Sequence, residues 1–70
     1  MPVVQVSLLE GRTTDQKRNI AKRITQMLVE EAGANEQGIV VTFVDLPTDS
    51  YASGGVLICD KRAAATEKAK

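Results

Sequence analysis

The sequence predicts an α+β fold: a single β-α-β unit with two parallel strands, a short C-terminal β-hairpin, and assembly into an oligomer. Three observations predict it. Two segments rich in β-branched residues, Pro2–Leu9 and Gly38–Asp45, flank a stretch whose apolar residues recur at helical spacing. The 29 residues between Leu9 and Ile39 are enough for a right-handed crossover between parallel strands. The whole chain has only 70 residues. A domain of this size buries only about 60% of its unfolded surface, and one core rarely supplies more than ~3–5 kcal/mol.

Each element has its own justification. In Pro2–Leu9, Val4, Val6 and Leu8 share one face, while Val3, Gln5 and Ser7 share the other. Glu10-Gly11-Arg12 reads as a turn. Thr13 and Gln16 have the spacing of a capping box, and Asp15 suits the positive end of a helix dipole. Ile20, Ala21, Ile24, Met27 and Leu28 then form one apolar stripe, so the spacing predicts a helix over Thr14–Ala32 that stops at Gly33. The continuous apolar run of Gly38–Asp45 predicts a strand buried on both faces. Leu46-Pro47-Thr48-Asp49 is a turn, Tyr51–Gly55 a small-residue loop, and Val56-Leu57-Ile58 a third short apolar segment. Asp60–Lys70 is polar and alanine-rich, either a frayed helix or a loose tail. One domain over residues 1–62 with a polar tail over 63–70 is the expected organisation.

Composition excludes several functions. Nine Lys+Arg balance nine Asp+Glu, and the only aromatics are Phe43 and Tyr51. Neither a basic footprint nor a stacking platform for nucleic acid is present. The longest apolar run is too short to span a bilayer, and no signal-peptide pattern is seen, so the expectation is a cytoplasmic chain with a reduced thiol. One cysteine, Cys59, and no histidine exclude an internal disulfide and a zinc site of the usual kind. Cys59 reads as apolar filler after the third strand. The missing histidine also removes the usual general base near neutral pH. Any acid–base enzyme built from this chain needs an unusual base.

Several features converge on one family. Proline follows Met1 directly, the run Leu9-Glu10-Gly11-Arg12 comes seven residues later, and a Thr-x-x-Gln-Lys helix start follows. A second strand, Tyr51 and the pair Gly54-Gly55 complete the pattern. The chain resembles the 4-oxalocrotonate tautomerase family, from Pro2 to Arg62, or 61 of the 70 residues. The resemblance implies a β-α-β subunit assembled as a homohexamer, a trimer of dimers. It implies no cofactor and no metal. It also implies catalysis by the amino-terminal proline, here Pro2 after removal of Met1. A free secondary amine in an apolar pocket beside a cation loses basicity and can serve as general base at neutral pH. The base would then be the chain terminus itself. Arg12 matches the family's carboxylate-binding arginine, a role suited to a guanidinium fork. Leu9 matches a position that lines the family's site.

Two positions depart from the family pattern. Val40 stands where a second substrate-binding arginine is found early in the second strand, and no Lys or Arg lies between Arg23 and Lys61. A partner for the substrate's carbonyl or second carboxylate is therefore missing or comes from elsewhere, with Lys61 or Arg62 of another subunit as one source. Tyr51 stands in place of a phenylalanine; its ring can wall the proline and its hydroxyl can donate. The expected function is tautomerisation between the enol (dienol) and keto forms of an unsaturated 2-hydroxy/2-oxo acid. One alternative is a hydratase or dehalogenase acting on unsaturated acids, with Asp49 as the carboxylate that activates water. A second is a non-catalytic subunit of a mixed assembly. No nucleic-acid or membrane partner is expected.

Overall fold

The computed structural model describes the backbone of residues 2–69 and the side-chain surroundings of residues 2–64. Strand β1 (Val3–Leu9) leads into helix α1 (Thr14–Ala32), and the chain returns through a 3₁₀ turn at Glu36–Gly38 into β2 (Val40–Leu46). A second 3₁₀ turn at Thr48–Ser50 precedes the two-residue strands β3 (Ala52–Ser53) and β4 (Val56–Leu57), and helix α2 (Ile58–Ala69) follows. β1 and β2 are parallel, in register from Val3 opposite Val40 to Leu9 opposite Leu46. β3 and β4 are antiparallel. This is the predicted α+β architecture.

Local chemistry sets the helix ends. The Thr13 hydroxyl accepts from the Gln16 N–H at 3.1 Å, and the Gln16 side-chain carbonyl accepts from the Thr13 N–H at 2.8 Å. That is the capping box. At the other end Gly33 adopts φ 64°, with its N–H donating to the Val29 carbonyl at 3.2 Å. The left-handed conformation suits glycine. The inward stripe of α1 is half-buried at Lys17, Ile20, Ala21, Ile24, Thr25 and Leu28. Met27 does not belong to it and is 51% exposed. One residue is about 100° of rotation, so Met27 falls on the flank when Leu28 faces the sheet. Lys17 bonds Asp45 at 2.5 Å, tying the first turn of α1 to the end of β2.

Three other expectations are corrected. β2 begins at Val40 rather than Gly38, because the Asn35 side chain accepts from the Gln37 N–H at 3.1 Å and holds Glu36–Gly38 in a 3₁₀ turn. β2 is covered on one face only: Val41 and Phe43 are half-buried, while Val40, Thr42 and Val44 are exposed. Ile58 does not extend the third apolar segment but opens α2, which places Cys59 in that helix's first turn, half-buried. Of the alternatives for the C-terminal residues, the helix is the one formed as far as Ala69, and Lys70 lies outside the described residues. Gly54 and Gly55 have φ 61° and 83°, the paired positive values that a tight hairpin requires.

α1 covers the Val4, Val6, Val41 and Phe43 face, and the opposite face is open. No described residue is buried, so the subunit has no dry core. Its accessible surface is 5353 Å², against about 4250 Å² for a compact monomer of this mass. Its radius of gyration is 16.4 Å, against about 11 Å for a compact domain of 70 residues. The excess comes from shape. The hairpin and α2 pack on each other and on the Thr48–Ser50 turn, forming an arm on a body 51 Å long and 17 Å thick. Surface of this kind calls for a partner. Among the described residues, no helix is long and apolar enough to cross a membrane.

Candidate active site

The two-stranded sheet has two ends, and the candidate residues divide between them. Pro2 sits half-buried just before β1, where its carbonyl accepts from the Val40 N–H at 3.0 Å. That bond fixes the proline beside the first residue of β2. At the opposite end the Glu10 N–H donates to the Leu46 carbonyl at 2.9 Å. Leu9 ends β1 there, and Gly11 turns the chain out of the strand with φ 114° to present Arg12. Asp49 and Tyr51 emerge from this same end, after β2.

Seven residues of extended chain separate Pro2 from Leu9, about 23 Å at ~3.3 Å each. That is well beyond the reach of an arginine side chain. A single chain therefore brings Leu9 and Arg12 together but keeps both away from Pro2. Strand length alone requires a second copy if these groups are to meet at one substrate.

Arg12 is free to take an external anion. It is exposed, and among the described residues no ion pair or side-chain hydrogen bond engages it. Asp15 pairs with Arg18 at 2.5 Å and Asp45 with Lys17, so neither engages Arg12. Tyr51 is 39% exposed, and its carbonyl accepts from the Ile58 N–H at 2.8 Å, which ties it to the start of α2. Asp49 is exposed and accepts from the Ser50 hydroxyl at 3.2 Å. Lys61 and Arg62 are exposed on α2. Among the described residues no group of His, Cys, Asp and Glu is arranged to hold a metal ion.

A concavity of about 570 Å³ among the described residues lies elsewhere. It runs between one flank of α1 and the Glu36–Gly38 turn, past Thr25, Val29 and Gln37. It contains neither Pro2 nor Arg12. A site formed between copies has no reason to show as a cavity in one copy, so the placement of chemically competent groups carries more weight. Sequence reasoning missed the Val40–Pro2 backbone bond and the Lys17–Asp45 pair. An acid closing the apolar run of β2 was the available signal for the second; nothing local signals the first.

Comparison with known proteins shows the family. Residues 2–61 match the family model of the tautomerase enzymes. A 2-hydroxymuconate tautomerase of Bacillus subtilis (strain 168) is 43% identical over 60 residues, covering 86% of this chain and 97% of that protein. A solved 4-oxalocrotonate tautomerase isozyme from Methylibium petroleiphilum superposes with a TM-score of 0.87 at 30% identity, covering 90% of this chain and 98% of that one. A heterohexameric 4-oxalocrotonate tautomerase from Chloroflexus aurantiacus shares the fold at 20% identity, with a TM-score of 0.81 and coverage of 86% and 97%. The matches span nearly the full length of each relative and reach from Pro2 through the hairpin. The chain belongs to the tautomerase enzymes, as an isomerase of the 4-oxalocrotonate tautomerase family.

Proposed function

We propose that this chain isomerises an unsaturated 2-hydroxy acid to its 2-oxo form, with the amine of Pro2 as general base once Met1 is removed. The observation that carries the reading is the position of Pro2. It is half-buried at the head of β1, anchored through its carbonyl and not its nitrogen, in a chain without histidine. The neutral amine takes the proton of the 2-hydroxyl. The electron pair moves along the diene, and the resulting ammonium returns the proton to a carbon. One O–H bond is exchanged for one C–H bond, and no oxidant or cofactor takes part.

Arg12 of a neighbouring copy holds the substrate carboxylate. Two copies pairing antiparallel along the free edge of β1 set the Pro2 end of one beside the Leu9–Arg12 end of the other. Twofold symmetry then makes two equivalent sites. The guanidinium disfavours the ammonium form of Pro2, and the Tyr51 ring and nearby valines exclude water. Three such dimers, their open sheet faces turned inward, form a homohexamer. Residues 1–62 act as the catalytic unit, with the polar residues 63–70 outside it. A cytoplasmic setting belongs to the same proposal, since a lone thiol suits a reducing compartment. Hydration chemistry is less well served, because Asp49 is a solvated acceptor of its neighbour's hydroxyl.

The decisive experiment alters only the terminus. A chain carrying an uncleaved N-terminal extension has Pro2 nitrogen in an imide, without basicity. It is expected to assemble and to be inactive, and proteolytic exposure of Pro2 is expected to restore turnover. Full activity before cleavage would falsify the mechanism. Arg12→Ala is expected to raise KM about 10- to 100-fold, the loss of one charge-assisted contact of about 1.5–3 kcal/mol. An unchanged KM for a carboxylate substrate removes Arg12 from the site.

A further inference from the structure

We propose that α2 is a strap between subunits: the basic C-terminal helix of one copy lies in the groove along one flank of α1 of a neighbouring copy. The chain is electrically divided. Between Arg23 and Lys61 it has six acids and no lysine or arginine, whereas from Lys61 to the end four Lys or Arg accompany one Glu. Three of the acids gather where they are poorly accommodated. Glu30 and Glu31 stand in the last turn of α1, which has no base of its own, and Glu36 follows in the 3₁₀ turn. The C-terminal end of a helix dipole is negative, so acids there destabilise unless a cation is brought to them.

Groove and helix are matched in size and charge. Glu30 and Glu36 line the groove together with Ala21 and Val29, and Lys22 is the base on its wall. From Ala21 to Glu30 it follows about 14 Å of α1, and the twelve residues of α2 make about 18 Å. After Cys59 the residues of α2 are charged or small. Ala63 and Ala64 are exposed, so this helix can approach another closely but has little apolar surface to bind by. Charge therefore selects its partner. Within one chain α2 packs on the hairpin and the Thr48–Ser50 turn, beyond the Leu9 end of the sheet, while the groove lies toward the Pro2 end. The antiparallel pairing proposed above, on which the inference rests, sets these two ends of different copies side by side. With the open sheet faces turned inward, the flank of α1 stays outside, where a neighbour's helix can reach it. The family match stops at residue 61 while α2 continues to Ala69, so the strap is an addition to the shared catalytic unit.

The test couples carboxylates to lysines with a carbodiimide, which joins only groups in contact, on full-length protein assembled from equal amounts of isotope-labelled and unlabelled chain. Mass spectrometry is expected to find Lys61, Lys68 or Lys70 joined to Glu30, Glu31 or Glu36 in peptide pairs of mixed label. Absence of these links, or links within one label only, overturns the inference. Charge reversal gives a second readout. Lys61→Glu/Lys68→Glu and Glu30→Lys/Glu36→Lys are each expected to raise the concentration of half-dissociation at least tenfold at low salt. The chain with all four changes is expected to return within threefold of wild type. In about 1 M NaCl, where the screening length falls to ~3 Å, all four proteins are expected to converge. Reversals without effect, or effects that add instead of cancelling, overturn the inference as well. If a reversed chain fails to fold, the coupling on wild type decides. Wild type at monomer mass refutes the pairing and the strap together, and an oligomer without the mixed-label links refutes the strap alone. Neither readout uses turnover, so the reading of Pro2 as base stands or falls separately.

Discussion

Pro2→Ala is expected to lower kcat/KM at least about 100-fold while leaving fold and assembly in place. A positioned general base contributes about 10²–10⁴-fold. Alanine at this position still yields an N-terminal amine after Met1 is removed. That amine is primary and lacks the ring that holds the nitrogen in place, so residual activity at the lower end of the range is expected. The structural role of residue 2 lies in its carbonyl, which accepts the Val40 N–H and is kept by alanine. The side chain is only half-buried, so little packing is lost. Steady-state turnover, circular dichroism and mass in solution together separate catalysis from folding. Turnover within threefold of wild type would remove Pro2 from the mechanism.

Val44→Glu is expected to be equally damaging by a different route. Val44 lies on the open sheet face with Val40 and Thr42 and is 37% exposed in the lone subunit. Burying a valine contributes about 1.5–3 kcal/mol, and a glutamate there adds an unpaired charge to an apolar contact. A subunit with no buried residue among those described has little stability of its own to offset this. The expected result is loss of the oligomer, a largely unfolded chain at micromolar concentration, and no activity. Light scattering and circular dichroism over a dilution series provide the readout. A variant that remains folded at monomer mass contradicts the requirement for partners.

The parts of the fold that were legible in the sequence were governed by local chemistry. Thr13, Gln16 and Gly33 announce the ends of α1 because caps act over three or four residues. The alternation Val4, Val6, Leu8 announces the inward face of β1. The run Gly38–Asp45 misled because covering a strand's second face is a property of the assembly. One chain supplies one helix for two strands, so Val40 and Val44 remain in water. The C-terminal residues stayed open between helix and tail because a short alanine-rich stretch has little amphipathic pattern to settle it. The sequence offered the proposed site as a set of residues and not as a place. Pro2 and Arg12 are ten positions apart in sequence, and only the extended course of β1 reveals that they face opposite directions along the sheet.

That strand acts as a calliper. In the proposed twofold pair each β1 would span the distance between two reaction centres, contributing the proposed base at one tip and the proposed anchor near the other. Its length of seven residues would then fix the gauge of the catalytic unit. Removing two residues preserves the alternation of faces, and so the folding pattern, yet shortens the gauge by about 6.6 Å. Both centres would be mis-set at once by an edit that hydrophobic patterning barely registers. Drift in the length of β1 should accordingly be far less tolerated than drift in its side chains.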